Sequence, residues 1–127
     1  MDLYFPTEFP EQLAFYGAGA TALIGLLLFL LPAQALKLGG FSVGDVTADG
    51  YASVRSTGGI YLGLGLSALL LAQDWLYLAV GAAMGLAALG RLIAVLADRG
   101  ATARNFGLLL LQVAIAALPL GYVLGYF

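Results

Sequence analysis

Residues 76–98, LYLAVGAAMGLAALGRLIAVLAD, stay apolar for long enough to cross a bilayer as one helix, yet they carry Arg91 well inside the run. That combination constrains the chain more than any other stretch. A charge at such depth costs about 2.5–3.5 kcal/mol on insertion scales, which makes an intramembrane arginine a functional candidate by default. At helical spacing Gly81, Gly85, Ala88, Arg91, Ala94 and Asp98 fall near one stripe. Small residues let a neighbouring backbone approach closely, so this stripe is expected to face the inside of a helix bundle and to take Arg91 with it.

The rest of the chain has the same character. Of its 127 residues 62% are hydrophobic and 9% charged, against about 25% charged in an ordinary soluble domain. The composition is that of a membrane protein, and the length suits one compact bundle over residues 1–127. A net charge of −2 argues against a nucleic-acid partner. With neither cysteine nor histidine, disulfides, the usual zinc and iron–sulfur sites, histidine-ligated haem and Ser-His-Asp or Cys-His nucleophiles are excluded. No metal or cofactor is expected, and no enzymatic activity. The N-terminus lacks the positive region of a cleavable signal peptide.

Read in order, residues 1–10 are aromatic and acidic, with Tyr4, Phe5 and Phe9 as interfacial anchors. Four spans follow, at about 12–31, 53–72, 75–98 and 102–126. Pro32 marks a break after the first, and residues 33–38 continue as a short amphipathic turn with Lys37 reaching for the headgroups. Residues 39–52 are the longest polar connection, rich in turn-formers. Its Asp45 and Asp49 are too few for a cation site and read as solvated. The run from Arg55 to Gly65 is glycine-rich but lacks the strand and lysine of a phosphate loop. Three GxxxG pairs, Gly59/Gly63, Gly81/Gly85 and Gly121/Gly125, point to close helix packing, against the chain itself, a second copy or another membrane subunit. Arg55-x-x-Gly58 and Arg104-x-x-Gly107 open the second and fourth spans alike, a faint sign of two related hairpins. The short second and third connections make consecutive helices antiparallel neighbours.

Lys37, Arg55, Arg99 and Arg104 all flank the first and third connections, whereas the termini and the 2–3 turn carry no lysine or arginine. The positive-inside rule then puts both termini on the outer, periplasmic side. At 1.5 Å per residue, Arg91, Gln112 and Tyr61 lie about 10, 12 and 9 Å from the same end of the bundle. They form one polar layer, with Arg55 and Arg104 at its mouth and Asp98 the nearest acid. No carboxylate lies within the hydrocarbon, which weighs against a proton-coupled exporter. Ser67, Gln112 and Thr21 are too sparse to line a channel.

The run Gly58-Gly-Ile-Tyr-Leu-Gly-Leu-Gly65, followed by Ala88-Leu-Gly-Arg-Leu92, resembles a family of small bacterial four-helix membrane proteins catalogued as domain of unknown function 4345. The resemblance implies a four-span bundle in a bacterial inner membrane, with Arg91 and Arg55 at the matching arginine positions, and it implies no activity. Two functional expectations stand together. The first is a non-enzymatic accessory or scaffold subunit that binds a larger membrane complex through small-residue faces. The second is a binder or carrier of a lipid or amphipathic anion around Arg91, or a small transporter.

Overall fold

The structure is a computed structural model that describes residues 5–40, 44, 46–97 and 102–126. Five helices account for nearly all of them: α1 (Phe9–Leu30), α2 (Pro32–Leu38), α3 (Ala48–Leu71), α4 (Asp74–Ala97) and α5 (Ala103–Val123). The described residues contain no β-strand. All but α2 are long and apolar enough to cross a membrane. Their large apolar side chains point mostly outward, Leu86, Leu96 and Leu110 among them, while much of the buried core is glycine and alanine. A soluble bundle does the reverse. A surface of this kind suits hydrocarbon, and the chain is built as a multi-pass membrane protein.

Local chemistry sets the helix limits. Pro10 fits the open first turn of α1, where its missing N–H costs nothing. Gln12 Nε2 donates to the Pro6 carbonyl at 3.0 Å, and the Phe5 ring meets Phe15 edge-on at 5.2 Å, so the lead-in folds back on α1. Helix α1 stops at Leu31 because Pro32 has no N–H to continue the ladder; the chain restarts at once as α2. Helix α3 starts five residues before the expected position 53. Thr47 is the reason: its Oγ1 accepts from Gly50 N at 3.1 Å and draws the first turn out of the polar connection. Helix α5 ends three residues short of the expected 126. Gly125, at φ +86°, lets Tyr126 N donate to Gly121 O at 2.8 Å and Gly125 N to Tyr122 O at 3.3 Å, the two-bond glycine stop of a helix C-terminus.

The tightest seam joins α1 to α3. Gly58 lies against the Gly25 carbonyl and Phe29 N, and Gly65 against Ala22 and the Ala18 carbonyl, so the two helices run in opposite directions at backbone contact. Along α4 and α5, Gly81 holds Leu120, and α5 crosses α1 where Gly17 accommodates the buried Pro119 ring. One expectation needs correction. Helices α3 and α4, joined only by Ala72 and Gln73, touch sparsely, and α1 packs far more closely on α5. No glycine brings their backbones together; Tyr61 and Arg91 stand between them, and a cavity opens there.

Candidate functional site

Arg91 lies two turns before the end of α4, and Asn105 and Gln112 lie seven residues apart, hence on one face, of α5. The arginine bridges them. Its Nε donates to Gln112 Oε1 at 2.9 Å and its Nη1 to Asn105 Oδ1 at 3.0 Å, both in part-buried surroundings. A guanidinium has only donors, so both amides must turn their oxygens toward it, which turns the Gln112 amide nitrogen away. Both partners are neutral, so Arg91 keeps its full charge. Its Nη2 donors take part in neither bond.

These three residues line a cavity of about 600 Å³ together with Tyr61 from α3, Ala87 and Ala94 from α4, and the Gly39–Gly40 turn. Tyr61 also packs on the apolar cluster of Met84, Ile115 and Ala116. Neither a carboxylate nor a histidine lines the cavity among the described residues. What it presents is a cation, amide and hydroxyl donors, and apolar walls. Such a lining suits an anion with an apolar body. Among the described residues, no group of acidic side chains could hold a metal.

The layer anticipated from depth alone, Arg91 with Tyr61 and Gln112, is thus brought together. Asn105 belongs to it and escaped the sequence reading, although its spacing of seven from Gln112 was the available signal. Arg104 reaches the rim, with its guanidinium against Gly40. Arg55 is elsewhere, and its expected place at the mouth is corrected. Its Nη1 donates to the Phe29 carbonyl at 2.7 Å. The break at Pro32 leaves the last carbonyls of α1 short of donors, and Arg55 supplies one from α3. It lines a separate groove of about 510 Å³ with Leu30, Pro32, Gln34 and Tyr51.

The glycine pairs divide similarly. Gly81 faces Leu120 closely, a β-carbon on Gly85 would stand 3.9 Å from the same side chain, and Gly121 is buried. Gly125 terminates α5, and a β-carbon there would meet open space. The α1–α3 seam uses Gly58 and Gly65, whereas Gly59 only meets the Phe29 ring and Gly63 faces open space. Of the acids weighed earlier, Asp49 is exposed in the first turn of α3. Asp45 and Asp98, like Arg99 and Tyr4, lie outside the described residues. Comparison with family models, with curated proteins and with solved structures finds no match to this chain.

Proposed function

We propose that this chain is a non-enzymatic, multi-pass membrane protein that binds the headgroup of an anionic amphiphile in the cavity between α3, α4 and α5. One observation carries the reading. Arg91 is held in place by two neutral amides, which fix its direction and leave its charge unspent. A structural role, in which Arg91 bonds Gln112 to fix the packing of α4 on α5, accounts for the same bonds but requires no bound anion, and this reading parts from it on that point. In this reading the arginine end of the bundle lies at the cytoplasmic face of a bacterial inner membrane, following the positive-inside pattern and the resemblance noted above. Native mass spectrometry with co-purified lipids tests it: a specific anionic lipid should accompany the wild type and be missing from Arg91→Ala. Identical lipid profiles would reduce the arginine to a packing role.

A second reading, an accessory subunit of a larger membrane complex, is favoured by Gly63. It lies on a helix surface with nothing within 4 Å of where a β-carbon would stand, and Gly59 beside it is off the internal seam. A small-residue face turned outward allows a neighbouring helix to pack closely. Crosslinking in mild detergent addresses this reading, and a strictly monomeric, partner-free protein would exclude it.

A further inference from the structure

Among the described residues, two arginines and no carboxylate border the cavity. Arg91 retains its charge, as its two partners are neutral. Arg104 rises from the first turn of α5 and lies along Gly40, its Nη1 and Cδ 3.0 and 3.3 Å from where a β-carbon on Gly40 would stand. Gly40 lines the cavity, so Arg104 occupies its rim. Neither arginine forms an ion pair with a described carboxylate. Helix α5 also begins at this rim and has no acidic residue in its first turn, so the positive end of its peptide dipoles adds to the same field.

We infer that the group bound here is a phosphate carrying two negative charges, as in a phosphomonoester, in preference to a carboxylate or a phosphodiester. The inference rests on reading the cavity as an anion site. A monoanion on Arg91 leaves Arg104 without a counter-charge among the described residues. A terminal phosphate offers three oxygens, enough for the Nη2 donors of Arg91 and the Arg104 guanidinium. Ala87 and Ala94 supply an apolar wall beside the sparse contact between α3 and α4, along which acyl chains would lie. These favour a lipid over free phosphate as the source of the group.

The test places the full chain in nanodiscs containing equal phosphatidic acid and phosphatidylglycerol and reads retained lipid by native mass spectrometry. It is run at about pH 7.5 and about pH 5, on either side of the phosphomonoester's second pKa of about 6. The charged and titratable groups facing the headgroup are Tyr61 from α3, Arg91 from α4 and Arg104 from α5, with no carboxylate or histidine among the described lining residues. Phosphatidic acid should be favoured about tenfold at the higher pH and lose that advantage at the lower. Arg104→Gln should bring the ratio near one at both pH values with both lipids still bound, Arg104→Lys should restore much of the preference, and Arg91→Ala should lose both lipids. A second arm titrates inorganic phosphate into detergent-purified protein. Arg104-dependent phosphate binding without a lipid preference assigns the same chemistry to a soluble phosphate. Equal retention of the two lipids with no phosphate binding overturns the inference, and the anion site itself survives if Arg91→Ala still loses both. Unchanged retention in Arg91→Ala overturns both.

Discussion

Arg91 and Gln112 stand 21 residues apart in the chain and 2.9 Å apart in space. The part-buried bond ties α4 to α5 near one end of the bundle, and it does so without neutralising the arginine. Arg91→Leu removes the insertion cost of about 2.5–3.5 kcal/mol but leaves two amides without their donor, each costing about 1–3 kcal/mol if it stays dry. The terms nearly cancel. Thermal stability in detergent should therefore change little, while anion retention is lost. Arg91→Lys keeps the charge and gives up the planar fork, so a defect in both variants shows that the fork is needed. Normal retention in both would remove the arginine from the site.

Asn105→Asp separates charge from shape. The side chain is nearly isosteric, and its carboxylate can still accept from Arg91 Nη1. It also cancels the arginine's charge. Anion binding should fall by about tenfold or more, with the helices intact by circular dichroism. Undiminished binding would mean that charge does not drive recognition.

Arg55→Ala should leave anion retention untouched. Its bond to the Phe29 carbonyl is exposed, so losing it should lower stability by under about 1 kcal/mol, as for other solvent-accessible charged contacts. A large drop in retained lipid would show that the groove beside Arg55 belongs to the binding surface.

Gly58→Ala and Gly63→Ala sit five residues apart on α3 and should behave oppositely. A β-carbon on Gly58 would meet the Gly25 carbonyl and Phe29 N at 2.6 Å, backbone that cannot step aside. Overpacking of this kind costs about 1–3 kcal/mol or more. Gly63 has room, and alanine there gains about 0.5–1 kcal/mol of helix propensity. Thermal melts in detergent read both. If Gly63→Ala instead dissociates a complex seen by crosslinking, the outward face is an interface.

Orientation is tested independently of the ligand. An alkaline-phosphatase fusion after the last residue should be active, and a cysteine at the exposed Gly44 should be labelled only once the inner face is opened. An inactive fusion would turn the cavity toward the opposite side.

The spans were readable because segments of about twenty mostly apolar residues leave few alternatives to a membrane helix. The layer of Arg91, Tyr61 and Gln112 was readable because rise per residue converts sequence offset into depth. Azimuth was not. Depth put Arg55 and Arg104 at the same mouth, but only Arg104 turns toward the cavity, since Arg55 answers the carbonyls exposed by Pro32. Likewise GxxxG spacing marked Gly59 and Gly63, whereas the closest approach falls on Gly58 and Gly65, seven apart. In α1 and α3, apolar on nearly every side, no polar face announces which stripe turns inward.

The arginine's two partners both follow it in the chain, by 14 and 21 residues. During synthesis Arg91 therefore leaves the ribosome before either amide exists. A fourth span that lagged would leave a lone cation in hydrocarbon. Entry of the last two helices as a pair would avoid this, and truncation before Asn105 should strand the third segment at the insertion machinery, or expel it, long before any ligand is at stake.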